Sequence, residues 1–141
     1  LILPQPAEAD PSGEEMGLIC FNSTASLAAD RAYQRTIPAG DDFFPSPSDF
    51  VYTLPNIVTG EIAIRHHIQG ETAFYVLRAF NPETICHIVR ETIADADLHR
   101  AFVGWIDIDT DRLDARAMLC VDRPHGNSPE LTPEALLQLF P

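Results

Sequence analysis

Apolar residues in this chain follow two rhythms, and the switches between them mark the elements. Residues 16–21, Met-Gly-Leu-Ile-Cys-Phe, form a continuous apolar run of strand length between Glu15 and Asn22, the pattern of a parallel strand covered on both faces. Residues 73–77, Ala-Phe-Tyr-Val-Leu, read as a second buried strand, and 102–108 and 115–121 as two more. The turn Asp109-Thr110-Asp111 between the last two is short enough to make them antiparallel.

Between these runs the spacing becomes helical. Asn22-Ser23-Thr24 offers side-chain acceptors to cap a helix over 25–37, whose Leu27, Ala28, Arg31, Ala32 and Arg35 make a weakly amphipathic face. Pro38 to Asp42 is a turn. Ser46 before Pro47 is a helix-entry signal, but Pro55 bars one continuous helix through this stretch, because a proline in a helix interior costs about 3 kcal/mol. The expected arrangement is a short turn over 47–52 and a fresh helix from Thr53, with Leu54, Ile57, Val58, Ile62 and Ile68 on one stripe. Glu61 and Arg65 are spaced as a favourable pair. Gly60 stands mid-helix, where glycine costs about 1 kcal/mol against alanine, so it is expected to admit another backbone. Gln69-Gly70 ends this helix. Asn81-Pro82-Glu83 starts another, with Ile85, Ile88, Val89, Thr92 and Ile93 inward, and Thr132 caps a last one over 133–140. The order strand, helix, long helix, strand, helix, strand, strand, helix predicts an α/β three-layer sandwich: a mixed sheet with one antiparallel edge and helices on both faces.

Composition narrows the function classes. A chain of 141 residues supports one domain able to bury about two-thirds of its surface. Residues 1–15 are proline-rich, acidic and aperiodic and read as a loop or tail, leaving 16–141 as the domain. The net charge of the whole chain, −12, with nine Arg and no Lys, argues against nucleic acid or an anionic membrane as partner. No apolar run approaches the ~20 residues of a membrane span, and Leu1-Ile2-Leu3 is too short for a signal h-region and has no basic flank. Cys20, Cys86 and Cys120 all fall in apolar surroundings, an odd set expected to be reduced thiols of a cytoplasmic protein.

Most constellations that imitate chemistry fail on spacing. His66 and His67 point about 100° apart on a helix and do not share a metal; Cys86-His87 fails likewise. Asp107 to Asp111 imitates a calcium loop, but Arg112 stands where its glycine belongs and Met118 where its glutamate belongs. A strand end and a solvated turn are expected there instead, with no metal and no cofactor. Ser23 and Thr24 at a strand-to-helix turn are expected to cap, since no G-x-S-x-G surrounds them. Phe43, Phe44, Phe50, Tyr52, Phe74, Tyr75 and Phe80 form an aromatic set that reads first as core.

Ser46-Pro47, Leu54-Pro55-Asn56, Gly60, Ile62-Ala63, Gly70 and the strand after it resemble the segment of β-ketoacyl-acyl-carrier-protein synthases that leads into the nucleophile. That segment reads S-P-x-x-F-x-x-x-x-P-N-x-x-x-G-x-I-A, then a Gly-Pro, then a strand delivering a cysteine at a sharp turn into a helix. The runs 17–21 and 101–107 are similar to neighbouring strands of the same half, so the resemblance spans about residues 15–122. It implies one half of a thiolase-like fold. The cysteine position falls on Ala79, which offers no electron pair to an acyl group, and Cys86 lies about two turns into the next helix. The family's catalytic histidines sit in a second half not contained in these 141 residues. The first strand of the half has no convincing match before Met16, so the sheet is expected to rearrange or a partner to fill the gap.

The resemblance implies a non-catalytic protein associating with acyl-chain-building enzymes of fatty-acid, polyketide or aryl-polyene type. Asn56, Gly60, Phe74, Tyr75, Val76 and Phe80 are its candidate acyl-pocket or interface residues. It implies a homodimer, or a heterodimer with a ketosynthase-type subunit, formed through 72–78 and the helix over 54–68. An acyl carrier protein is a further partner the resemblance suggests, one that would have to meet local arginines. Two rival readings are an acyl-transfer enzyme using Ser23 or Cys86, and a small homodimeric scaffold or ligand-binding domain without acyl chemistry.

Overall fold

The computed structural model describes residues 16–37, 44–109, 112–122 and 129–140. The tail at 1–15, the turn at 38–42 and Phe43 lie outside them. In chain order the elements are β1 (Met16–Asn22), α1 (Leu27–Thr36), α2 (Pro47–Val51), α3 (Ile57–His66), β2 (Thr72–Val76), α4 (Pro82–Asp95), β3 (Arg100–Asp109), β4 (Arg112–Val121) and α5 (Pro133–Leu139).

The strands form one sheet in the order β2-β1-β3-β4. β1 is parallel to β2, with Leu18 opposite Thr72 and Asn22 opposite Val76, and parallel to β3, with Met16 opposite Arg100 and Phe21 opposite Trp105. β4 returns antiparallel from β3. The mixed sheet and its antiparallel edge are thus as the element order predicts. No central slot is left open: β1 itself takes the middle place and satisfies its backbone groups on both sides.

Alternation along the strands divides the core into two layers. Ile19 and Phe21 of β1 and Ala101, Val103 and Trp105 of β3 point to one face, where they meet Ile85, Cys86 and Val89 of α4 and Leu136 and Phe140 at α5. Leu18, Cys20 and Phe102 point to the other face and meet Ile62 and Ala63 of α3, with Ile68 just beyond it. Helices therefore cover both faces. Asn81 caps α4 by accepting from Thr84 N at 2.8 Å, and Thr132 caps α5 by accepting from Ala135 N at 3.2 Å.

Several local expectations are corrected. The stretch 47–51 is a helix rather than a turn, capped by Ser46, which accepts from Asp49 N. α3 starts at Ile57 and not at Thr53, because Pro55 disfavours helical backbone at Leu54 and the chain needs turns to recover. Leu54, Ile57 and Val58 consequently line a cavity, while Ile62 and Ile68 reach the core. Among the described residues Glu61 and Arg65 form no ion pair; Glu61 turns to the Tyr52 hydroxyl and raises its pKa.

Among the described residues Gly60 admits no other backbone, since a Cβ built there meets nothing within 4 Å. Close approach occurs at Gly17 instead. A Cβ at Gly17 would stand 2.6 Å from Leu98 Cδ1 and 3.2 Å from the Glu71 carbonyl oxygen, which accepts from Leu18 N at 2.9 Å. Gly17→Ala is therefore expected to destabilise the fold by about 1–3 kcal/mol in a urea melt, the usual cost of overpacking; an unchanged midpoint would show that Leu98 swings clear.

Candidate functional site

The three parallel strands all end on the same side of the sheet, where open α/β sheets bind their ligands. At the end of β1 the chain turns through Asn22, Ser23, Thr24 and Ala25 before α1. The Asn22 side chain closes this turn on itself: its Oδ1 accepts from Ala25 N at 3.0 Å and its Nδ2 donates to the Ala25 carbonyl at 2.8 Å. Ala25 is held at φ 51, a left-handed backbone rare for alanine.

Ser23 and Thr24 do not cap α1, whose N-cap Ser26 makes no capping bond and donates its hydroxyl to the Asp30 carboxylate instead. They are turned across the sheet to Asp107 at the end of β3. The carboxylate accepts from Ser23 N and Ser23 Oγ at 2.8 Å each, from Thr24 N at 3.2 Å and from Thr24 Oγ1 at 3.1 Å. Partial burial by itself raises the Asp107 pKa, but the four bonds to its charged form outweigh it and the net pKa is lowered. Asp107 is thus no solvated strand end. Nothing in the local sequence announces this cluster, because its two halves lie 84 residues apart and only the β1-β3 pairing joins them.

Ser23 Oγ has a carboxylate as its acceptor, and among the described residues no histidine bonds to it. A carboxylate of lowered pKa is a weak base, so this pair ties a loop more readily than it activates a nucleophile. The thiols are no better placed. Burial pushes Cys20 up to about 12, and burial with a smaller push from Cys86 takes Cys120 up to about 11. Cys86 is packed beside Ile85 and Val89, and its burial outweighs the opposing charge of Arg90 to leave its pKa raised. All three are free.

The other candidates are spread over separate environments. Ala79 is exposed in the turn between β2 and α4. Phe80 beside it is core: its ring meets Trp105 edge-on at 5.3 Å and Phe140 at 5.9 Å, with the Arg116 guanidinium 5.9 Å above it. Tyr75 stacks on Phe21 at 5.4 Å on the α4 face. Val76 is 51% exposed at the end of β2. Asn56 is the N-cap of α3, accepting on its carbonyl from Thr59 Oγ1 at 2.7 Å.

Phe74, on the opposite face from Tyr75, lines a cavity of about 210 Å³ under α1, with Ala25, Ala28, Ala29, Leu54, Pro55, Ile57, Val58, Ile106 and Ile108. Asn22, Ser26 and Tyr52 supply its polar groups. The alanines of α1 are too small to fill the space between that helix and the sheet. Of the described members of the aromatic set, Tyr52 and Phe74 border this cavity. Among the described residues no group of three or more His, Cys, Asp or Glu side chains is gathered as a metal would need, and no helix is long and apolar enough to cross a membrane.

Because the folded pKa of Asp107 is lowered, its contribution to stability is present above the ordinary carboxylate range and lost as pH falls through the lowered value. Asp107→Asn is expected to lose about 2 kcal/mol at neutral pH, the scale of hydrogen bonds to a charged group, and to show a flatter stability profile through the acid range. Parallel acid melts of the two proteins check this.

No family model and no curated protein matches the chain. Among solved structures it is similar to a ketosynthase (ApeO) in complex with its chain length factor (ApeC) from Xenorhabdus doucetiae, with a TM-score of 0.53 and 10% sequence identity. The match covers 70% of this chain and 40% of that one, so this chain spans less than half of the neighbour's length. With its mixed parallel sheet between two helical layers, the chain shares with that structure a thiolase-like α/β fold.

Proposed function

We propose that this chain is a non-catalytic relative of the β-ketoacyl synthases that works by association with a ketosynthase-type subunit of an acyl-chain-building system. The observation that carries the reading is the turn between β2 and α4, where the resemblance calls for a nucleophilic cysteine and an exposed alanine, Ala79, stands instead. The chain's own thiols sit away from this turn with raised pKa values. The solved neighbour is itself a ketosynthase in complex with its chain length factor.

The edge of the sheet supports the partner half of the proposal. Among the described residues β2 is an outer strand with no strand on its far side, carrying Phe74 and Tyr75 inward and a half-exposed Val76 at its end. An open edge of this kind is a template for another strand, and a partner strand there would extend the sheet across the contact. The net charge of −12 opposes an acidic carrier protein, leaving Arg78, exposed beside Ala79, as the local cation for such a contact.

Incubated with a reactive acyl thioester, the protein is expected to remain unmodified at Cys20, Cys86, Cys120 and Ser23 by mass spectrometry; an acyl adduct on any of them would overturn the non-catalytic reading. Ala79→Cys is expected to leave condensation undetectable, because the histidines that the family uses to stabilise carbanion and oxyanion lie in its second half. Affinity capture from the native host, identified by mass spectrometry, is expected to recover a ketosynthase-type subunit, and Val76→Lys, a charge on the open edge, to abolish the recovery.

A further inference from the structure

The cavity under α1 is built in a way that packing for stability does not explain. A surface helix lying on a sheet turns its large apolar side chains inward. α1 does the reverse: Leu27 stands 41% exposed, while Ala28 and Ala29 border the void. About 210 Å³ is left between helix and sheet, more than the ~150 Å³ of an engineered apolar void that takes up benzene in another protein. The helix is also held from settling into this space. Asn22 fixes the turn before it through two bonds to Ala25, and Ser23 and Thr24 bind that turn to Asp107 on β3.

The walls define what the space accepts. No Asp, Glu, Lys, Arg or His lines it, so a carboxylate, phosphate or ammonium group inside would be buried without a counter-charge. Its hydrogen-bonding groups lie at the buried end, in the turn that leads into α1. Asn22 is only 3% exposed. An amide nitrogen carries two hydrogens; one goes to the Ala25 carbonyl, and among the described residues the other has no acceptor. Ser26 gives its hydroxyl hydrogen to Asp30 and keeps lone pairs on the oxygen. A donor and an acceptor from one turn thus border a hydrocarbon wall that includes Val58, Phe74 and Ile106.

That polarity discriminates between occupants. A hydrocarbon chain entering tail first would set a methyl group against Asn22 and leave its second N–H buried without an acceptor, which costs the full desolvation of that group. A hydroxyl group there accepts from Asn22 Nδ2 and donates to Ser26 Oγ. We propose that the cavity under α1 is a binding site for a compact, uncharged hydroxyl compound of about the size of a methylphenol, bound with its hydroxyl inward. Its hydrocarbon body packs on Val58, Phe74 and Ile106, and the half-exposed Tyr52 and Leu54 stand at the outer side. The site uses neither Ala79 nor the outer edge of β2, so it stands or falls independently of the association proposed there.

The test is calorimetric titration of the full chain with 4-methylphenol. One molecule is expected to bind per chain with a Kd below ~1 mM, within reach of a ligand of this size. Toluene, which lacks the hydroxyl, is expected to bind about ten-fold more weakly or worse, because it leaves the Asn22 donor unpaired, and 4-methylbenzoate and octanoate are expected not to compete. Ala28→Leu, which fills the void, is expected to abolish binding while leaving the thermal midpoint unchanged or higher, whereas Leu27→Ala and Val76→Lys keep the wild-type affinity. The absence of saturable 4-methylphenol binding in the millimolar range would overturn the proposal. So would toluene binding as well as 4-methylphenol, displacement by octanoate, or wild-type affinity in a folded Ala28→Leu protein.

Discussion

β1 hydrogen-bonds along both edges and is covered on both faces, and the other layers are arranged by what it needs. Its run from Gly17 to Asn22 is buried throughout. Odd positions supply the α4 and α5 layer, even positions the α3 layer, so one seven-residue strand sits at the centre of both hydrophobic clusters. A strand in that position cannot shift register by one residue without exchanging the two cores. Gly17 is part of the same constraint: the strand approaches Glu71 and Leu98 so closely that an added Cβ would have to displace the Leu98 side chain.

The end of β1 couples this core to the surface where chemistry would be expected. The turn after Asn22 is held in an unusual backbone by Asn22 and anchored to β3 by four bonds to Asp107. A further exposed pair, Arg31 to Asp109 at 3.3 Å, ties α1 to the same strand end; such a pair is worth little by itself. α1 buries none of its residues fully and leaves the cavity beneath it open. The helix is thus tethered at its start rather than packed along its length, which leaves room under it for an apolar group.

Much of the fold is legible in the linear pattern. Apolar runs mark the strands, continuous in β1 and interrupted by charges in β3 and β4, and the Ser46-Pro47, Asn81-Pro82 and Thr132-Pro133 pairs mark three helix starts, because a cap and its proline act within one turn. The start of α3 falls later than the apolar stripe suggests, since the effect of Pro55 on the residue before it is felt only in the path the chain must then take. The candidate site is less legible. Ala79 at a strand-to-helix turn and the absence of a nearby thiol are readable from order and spacing, whereas the Asp107 cluster depends on which strands become neighbours.

By itself the sequence determined the element types, the mixed three-layer class, the acidic surface and the lack of an electron pair at Ala79, all properties of local spacing or composition. The tertiary structure decided which glycine lies under a backbone, which polar residues meet across the sheet, and which apolar rows are covered. Those are outcomes of strand order and register. A residue such as Gly60 or Leu119 has the same local signal whether or not its own chain covers it, and only the packed sheet distinguishes the two among the described residues.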